Sequence, residues 1–556
     1  MSLIRYVHKR DVINVILEGI KMKRVILIIV LFLVFASFMS LNAQWARTYG
    51  GNDNEYLFSI QETKDGGYIA AGWTESFATG DENIWILKID SLGDVEWEKT
   101  YGGVGRDLGG HLQQTADGGY ILGGTTDSFG TGGFDRWILK LDSSGGIEWQ
   151  HSYGGVDNDF SGPMYQTTDG GYIVSGRIQP YGAGDGNLLV MKLNSSGDIE
   201  WQRTYGTGPK DFNSIDFQQT NDGGFIAAGS SYSFGAGLSD VWILKLYSNG
   251  NIEWQKTYGG SNYEYPACIQ QTEDGGYIVL GNTKSFGAGN YDCWIFKLDF
   301  TGNIEWQRTF GSIDYDNANF IIQTKEGGYI FTGYSYSFGN GDSDIWIIKL
   351  NRTGDIEWQH LYGGNGSESS SLVEQTEEGD YLIAGITDSY GIGYDDALIL
   401  KISSSGEIDE SCGDFIKISN ATIIDTHVIP QETYITPQES YVLSQSTNVL
   451  PQDSNATSTL ICFRPSSPEE QIETIIDDVE DLVDTGQLDL GPGNSLRVKL
   501  EVALHTLQKR NTTAASSQLQ AFINQVNAFM SAGILSEVEG QPLIDAATQV
   551  ITELFE

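Results

Sequence analysis

Residues 254–305 read WQKTYGGSNYEYPACIQQTEDGGYIVLGNTKSFGAGNYDCWIFKLDFTGNIE, and this segment is one copy of a unit that fills most of the chain. The copies begin 52 or 53 residues apart, each with a tryptophan: Trp45, Trp97, Trp149, Trp201, Trp254, Trp306 and Trp358. Self-similarity at a fixed period of this length is the signature of a repeat architecture, in which each unit packs on its neighbours.

Each unit contains four short strand patterns separated by turn residues. In the quoted copy, the glycines of Glu273–Gly276 allow a tight turn, and a longer loop follows at Ser285–Gly289. The alternating pattern has no helical period. Seven units of four antiparallel strands predict an all-β, seven-bladed β-propeller over residues 44–409.

The two ends of the repeat array predict how the ring closes. Residues 44–50 form an outer strand that has no blade of its own, whereas the seventh unit ends at Asp409 without its fourth strand. We expect the first strand to complete the last blade, because this pairing leaves no open edge between them.

The repeated segments DGGYI, SFGxG, WILKLD and GxIEWQxTYGG resemble bacterial and archaeal secreted propeller repeats of the delta-60 and SBBP types. The resemblance covers residues 45–409. It implies an architecture and does not imply a particular activity.

Charge narrows the classes of partner. The chain has 74 acidic and 32 basic residues, a formal net charge of −42. This field repels phosphate backbones and anionic lipids, so binding to nucleic acid or to a membrane through a basic surface is excluded.

The protein is expected to be monomeric, with a protein or polysaccharide ligand.

Residues 1–43 have the layout of a secretory signal peptide. The apolar run 25–38 follows Lys21, Lys23 and Arg24, and cleavage is expected after Ala43. Met22 would start a signal of ordinary length. We therefore expect a secreted or cell-surface protein with no membrane span after cleavage, the alternative being an uncleaved signal anchor.

Two repeated sets of side chains are candidate site residues. An acid lies ten residues after each opening tryptophan and is the candidate metal ligand, with calcium as the candidate cation: Glu55, Asp107, Asp159, Asp211, Glu264, Asp316 and Glu368. An aromatic residue in each SFG-type loop is the candidate ligand-binding residue: Phe77, Phe129, Tyr181, Phe234, Phe286, Phe338 and Tyr390.

Strand polarity places both sets on the same face of the disc, where they would bind a glycan, a cationic peptide or calcium. The alternative is structural, with acids that cap turns and aromatics that wedge between blades. The recurring lysine of the ILKL segment has a structural interpretation as well. We expect Lys140 to face Glu148 across a hairpin and to form an ion pair that recurs in every blade.

No nucleotide-binding, metalloprotease or serine-hydrolase motif occurs in the sequence, and no catalytic residue is assigned. Residues 410–466 lose the repeat and form a strand-like connector. Cys412 and Cys462 bracket this connector, and a disulfide between them is expected in an exported protein. Cys268 and Cys293 are expected to be free, buried thiols, because another strand separates them in their blade.

Residues 467–556 form a helical module. Apolar residues recur at helical spacing over 472–483, and three further amphipathic stretches follow near 495–509, 514–531 and 541–555. The segment QAFINQVNA at 520–528 resembles the FIMAH-type module found at the ends of secreted prokaryotic proteins. This resemblance implies an accessory attachment rather than catalysis.

These patterns favour an exported, non-enzymatic binding or scaffold protein whose propeller presents a ligand face. The alternative is an extracellular carbohydrate-active hydrolase or lyase that uses carboxylates at the channel mouth. A structural component of a surface layer is a third possibility. Unlike polar residues clustered at the channel mouth would favour the enzyme, whereas a uniform sevenfold mouth would favour binding or structure.

Overall fold

A computed structural model describes residues 44–554, except 179–185, 207–210, 212–214, 340, 409–414, 419–421, 426–430, 433–437, 440–442, 447–451, 454–456, 465–467, 485–486 and 510. The strands up to residue 463 form one compact unit, and the helices after residue 464 belong to a second. The predicted signal peptide lies outside the described residues.

The first unit is a seven-bladed β-propeller. Its inner strands are β2 (Glu55–Glu62), β6 (Asp107–Gln114), β10 (Asp159–Gln166), β14 (Ile215–Gln219), β18 (Glu264–Gln271), β22 (Asp316–Gln323) and β26 (Glu368–Gln375). The second strands are β3 (Tyr68–Thr74), β7 (Tyr120–Thr126), β11 (Tyr172–Ile178), β15 (Phe225–Ser231), β19 (Tyr277–Thr283), β23 (Tyr329–Ser335) and β27 (Tyr381–Thr387). The third strands are β4 (Asn83–Ile89), β8 (Asp135–Leu141), β12 (Asn187–Leu193), β16 (Asp240–Leu246), β20 (Asp292–Leu298), β24 (Asp344–Leu350) and β28 (Asp396–Ile402).

The fourth strand of blades 1–6 follows its third strand in the chain: β5 (Val95–Tyr101), β9 (Ile147–Gly154), β13 (Ile199–Tyr205), β17 (Ile252–Tyr258), β21 (Ile304–Gly311) and β25 (Ile356–Tyr362). Blade 7 instead takes its fourth strand from the start of the chain. Strand β1 (Gln44–Gly50) pairs antiparallel with β28, with Trp45 opposite Lys401. The closure predicted from the two ends of the repeat array is confirmed.

The connector adds a fifth strand to the outside of every blade. Its strands pair with blades 6, 5, 4, 3, 2, 1 and 7 in that order: β29 (Ile416–Ile418), β30 (Thr422–Asp425), β31 (Gln431–Glu432), β32 (Gln438–Glu439), β33 (Leu443–Ser446), β34 (Gln452–Asp453) and β35 (Thr457–Arg464). The connector therefore belongs to the propeller sheets and encircles the ring. Strand β1 lies between β28 and β35, so the closing strand is paired on both edges.

Apolar side chains of adjacent blades share one core between each pair. In the cluster that joins blade 7 to blade 1, Trp45 and Ile399 pack with Leu57 and Trp85, all of them buried. Blades are further tied by tyrosines of the outer strands. The Tyr101 hydroxyl, for example, donates to the Gly145 carbonyl of the next blade at 2.7 Å, which satisfies a buried polar group that would otherwise destabilise the core.

The recurring lysine forms the predicted ion pair, but the predicted register is wrong. Lys140 Nζ lies 2.9 Å from Glu148 Oε2, and corresponding pairs occur in blades 1 and 3–6. Lys140 faces Trp149 rather than Glu148, because a β-bulge leaves Glu148 as the extra residue. A second carboxylate from the tight turn, that of Asp117, also lies 3.0 Å from Lys140 Nζ.

The second unit contains helices α1 (Pro468–Asp484), α2 (Leu490–Gln508), α3 (Thr512–Ser531) and α4 (Glu537–Glu553). Their apolar faces pack around buried residues that include Ile475, Leu500, Phe522 and Val550. The predicted amphipathic stretches correspond to these four helices. In the part of the chain that the structure describes, no helix is long and apolar enough to cross a membrane.

Cys268 and Cys293 are free and buried, as expected. The side chains of Cys412 and Cys462 lie outside the described part of the molecule, so their disulfide stays a prediction.

Candidate functional site

The propeller has two unlike faces. The loops between second and third strands, and those that lead from each outer strand to the next blade, emerge on one side, which we call the loop face. The tight turns emerge on the opposite side, the turn face. Both predicted sets of site residues belong to the loop face, as strand polarity indicated.

The seven predicted metal ligands are fully buried at or just before the inner strands: Glu55, Asp107, Asp159, Asp211, Glu264, Asp316 and Glu368. Glu264 shows the common geometry. Its Oε1 accepts a hydrogen bond from the Thr283 hydroxyl at 2.9 Å, and its Oε2 accepts one from the Gly260 N–H at 2.8 Å. One oxygen therefore binds the end of the second strand and the other binds the loop that leads into the inner strand, which is the geometry of a turn cap.

A second buried acid, which the sequence analysis did not single out, accompanies most of these caps. The third strands begin with Asp135, Asp240, Asp292, Asp344 and Asp396, with Asn83 and Asn187 in the other two blades. Burial and the neighbouring cap Asp316 raise the pKa of Asp292 to about 6. Loop N–H groups, such as that of Ala288 at 3.1 Å, offset part of this cost.

These carboxylates occur in pairs and not in a converging ring. Among the described residues, no three His, Cys, Asp or Glu side chains lie close enough together to hold a metal ion. The calcium site predicted for the seven caps stays a prediction, and their hydrogen bonds correspond to the structural alternative.

The predicted aromatic residues are half-buried and pack on the tryptophans of the third strands. The ring centroids of Phe129 and Trp137 are 5.1 Å apart, and the same contact recurs for Phe77, Phe234, Phe286 and Phe338. Tyr390 instead packs on Phe415 at 5.6 Å, and Tyr181 lies outside the described residues. These contacts are those of wedges beside each blade's core.

The central channel encloses about 420 Å³ between the inner strands. Glutamines on these strands link neighbouring blades. For example, Gln113 Oε1 accepts from the Gln166 N–H of the next blade at 2.7 Å, and Gln270 Oε1 accepts from Gln323 in the same way at 2.6 Å. The polar lining of the channel is therefore used to hold the inner strands together.

Two unlike polar residues of the inner strands, Asp216 and Cys268, make the same kind of contact. Asp216 Oδ2 accepts from the Ile269 N–H of the next blade at 2.7 Å, and Cys268 Sγ donates to the Ile321 carbonyl at 3.4 Å. Burial raises the pKa of Asp216 to about 6 and lowers that of His111 to about 4. Since Asp216 and Cys268 each link one blade to the next, these two residues have a structural explanation.

The junction between blades 7 and 1 differs from the glutamine-linked junctions. Glu374 occupies the position of the linking glutamine, and its Oε2 accepts from the Glu62 N–H at 3.3 Å. Glu62 in turn accepts from the Glu377 N–H at 2.8 Å. Burial raises the pKa of Glu374 to about 8, and the adjacent Glu62 adds to the rise. At neutral pH, Glu374 is therefore largely protonated and takes the place of the uncharged glutamine side chain found at the glutamine-linked junctions.

A cluster of tyrosines on the loop face breaks the sevenfold pattern. We call it the tyrosine strip, and it extends over blades 4–6: Tyr232, Tyr263, Tyr265, Tyr291, Tyr315, Tyr334 and Tyr336. Tyr336 is 51% exposed and Tyr315 is 44% exposed. The sequence analysis missed these residues because it followed positions that repeat, whereas a comparison of the loops between blades would have revealed them.

The family comparison assigns only the C-terminal part of the chain. The model of the FIMAH domain matches residues 472–552, which include most of α1–α4. The FIMAH resemblance is therefore confirmed. A search of curated proteins gave no match.

Solved structures resemble the propeller only distantly. BBS1N in complex with ARL6DN is 11% identical, with a TM-score of 0.37, and the match covers 63% of this chain and 93% of that chain. Puromycin hydrolase is 12% identical, with a TM-score of 0.35 over 60% of this chain and 52% of its own. The exotype rhamnogalacturonan lyase YesX is 12% identical, with a TM-score of 0.33 over 64% and 73%. The chain thus spans about half of the puromycin hydrolase, and these likenesses carry no functional argument.

Proposed function

We propose that this protein is an exported, non-enzymatic binding protein that presents the loop face of a secreted propeller to an extracellular ligand. In this proposal the propeller belongs with the delta-60 and SBBP repeats, the signal peptide directs export, and the helical module serves as an accessory attachment. The protein acts at the cell surface or in the medium.

The observation that carries the proposal is the difference between repeated and unrepeated side chains on the loop face. Most of the repeated acids and aromatics that the structure describes are engaged in turn caps and core wedges, so their role belongs to the repeat. The exposed tyrosines occur at positions that other blades fill with unlike residues. Exposed aromatic surface that the fold does not require is typical of an interaction site.

The channel favours binding over hydrolysis. A glycosidase needs two carboxylates that flank a substrate bond. Glu374 of the channel and the buried inner-strand residue Asp216 instead accept hydrogen bonds from backbone N–H groups of neighbouring blades. These contacts support a structural role for both carboxylates.

The test is an array of glycans and extracellular proteins probed with the labelled protein recovered from the exported fraction. We expect specific binding to one class of ligand with no change in the ligand's chain length. Release of shortened sugar products from a bound glycan would contradict the proposal and favour the hydrolase or lyase. Retention of the protein in the cytoplasm would contradict export.

A further inference from the structure

The backbone of blades 5 and 6 fixes the tyrosine strip before any ligand arrives. Tyr291 and Tyr315 form a parallel backbone bridge between neighbouring blades, and their ring centroids are 5.7 Å apart with planes at 23°. The Tyr336 N–H donates to the Tyr315 carbonyl at 3.0 Å. A surface ordered in this way loses little conformational entropy when it binds.

The rings form a continuous series rather than separate anchors. Tyr263 stacks on Tyr265 at 6.1 Å and 15°, and Tyr265 lies 6.2 Å from Tyr291. The hydroxyls of Tyr232 and Tyr265 are 3.1 Å apart. The strip thus combines aromatic ring surface with hydroxyl groups that can form hydrogen bonds.

The same positions in other blades show that the fold does not need these rings. At the junction of blades 1 and 2, the positions of Tyr291 and Tyr315 hold Glu82 and Arg106, which form an ion pair with Nε–Oε2 and Nη2–Oε1 distances of 2.5 and 2.8 Å. At the junction of blades 6 and 7 they hold two serines, Ser343 and Ser367. The fold therefore does not require the pair Tyr291 and Tyr315 at this junction.

Charge and shape together select the class of ligand. The net charge of −42 disfavours a polyanion. Lys284 already has its Nζ 5.3 Å from the Tyr291 ring centroid. A protein hot spot is usually an aromatic anchor in a desolvated pocket. This strip is instead a series of hydroxylated rings, three of them exposed and four half-buried, spaced on the scale of sugar units. These features fit a neutral polysaccharide better than a protein.

We infer that the tyrosine strip is a subsite for an extended, neutral polysaccharide chain whose sugar rings stack on successive tyrosines. This inference rests on the proposed binding function and names the ligand class for the same face.

The test is affinity gel electrophoresis of the full chain in gels that contain a neutral β-glucan, galactomannan or arabinoxylan, or anionic polygalacturonate. We expect at least one neutral polymer to retard the protein and polygalacturonate to leave it unretarded. The double variant Tyr291→Ser/Tyr315→Ser copies the natural serine pair of blades 6 and 7, so it should fold. Loss of two stacking rings should lower the affinity for the polymer, measured from the retardation, by roughly tenfold.

Two matched variants serve as controls. Tyr291→Phe/Tyr315→Phe keeps the rings and should retain most of the binding. Tyr247→Ser removes a tyrosine that is 52% exposed in a tight turn on the turn face, so retardation should not change. If the serine double variant and the wild type were retarded equally, the tyrosine strip would not be the polysaccharide subsite. The proposed binding function would remain intact. The proposed ligand class would be overturned if no neutral polymer retarded the protein, or if polygalacturonate retarded it more strongly. It would also be overturned by a protein ligand whose binding requires Tyr291 and Tyr315.

Discussion

Substitution of Glu374 by glutamine should stabilise the propeller at neutral and alkaline pH. Glu374 occupies the linking position that glutamine fills in blades 1, 2, 4 and 5, and its carboxylate accepts from the Glu62 N–H at 3.3 Å. A glutamine carbonyl oxygen can accept the same hydrogen bond without a charge. The variant therefore removes the cost of ionisation at this junction and keeps the link between blades 7 and 1.

The pKa of Glu374 gives the size and the direction of the effect. Burial raises this pKa from its ordinary 4.5 to about 8, so the folded state keeps a proton that the unfolded chain releases. The stability of the wild type should therefore fall as the pH rises from about 4.5 to about 8 and change little above that range. One pKa unit corresponds to about 1.36 kcal/mol, which sets a ceiling of roughly 5 kcal/mol. Because the side chain lines a channel that admits water, we expect roughly 2–3 kcal/mol.

The assay is a series of thermal melts of wild type and Glu374→Gln between pH 4 and pH 9. Unfolding entropy of about 2.1 cal/mol/K per residue makes 1 kcal/mol equivalent to about 1 °C for a unit of this size. The variant should melt with the wild type near pH 4 and roughly 2–3 °C higher above pH 8. The reciprocal control, Gln270→Glu, puts a carboxylate at the junction of blades 5 and 6. This variant should show the same decrease in melting temperature as the pH rises. Parallel pH profiles for wild type and Glu374→Gln would refute the reasoning.

Four further outcomes are expected. Deletion of residues 44–51 removes a strand that pairs on both edges, so the melting temperature should fall and aggregation should rise, whereas an unchanged melt would contradict the closure. Asp292→Asn copies the asparagines of blades 1 and 3. Because burial raises the pKa of Asp292 from 3.8 to about 6, the variant should increase the free energy of unfolding by roughly 1–2 kcal/mol above pH 6 and leave it unchanged near pH 3, as measured by urea titration. Lys140→Met leaves two carboxylates without their cation and should cost roughly 1–2 kcal/mol in the same assay; full stability would mean that the ion pair contributes nothing. Because each acidic cap binds its own loops, melts in millimolar calcium and in chelator should coincide, and a calcium-dependent rise that Asp316→Asn abolishes would instead establish a cation site.

The sequence alone determined the number of blades, the four-strand pattern of each blade and the way the ring closes. These features have local causes that recur in every copy. Alternation at a period of two defines the strands, and Asp-Gly-Gly segments define the turns. An extra strand at the start of the array and a missing strand at its end leave one way to complete the last blade. The lysine–glutamate pair was predictable for the same reason, although the bulge that shifts its register was not.

Only the tertiary structure decided which side chains meet outside the repeat. The tyrosines from 232 to 336 are scattered along the chain and become neighbours because the ring brings the loops of adjacent blades together. Glu62 and Glu374 are 312 positions apart and meet because the ring closes between them. The connector strands are as short as two residues, too short for a period to show, and they become strands by pairing with edges that already exist. The local sequence pattern determines the strands and turns that recur in every blade. Contacts between segments that are distant in the chain form only when the ring is closed.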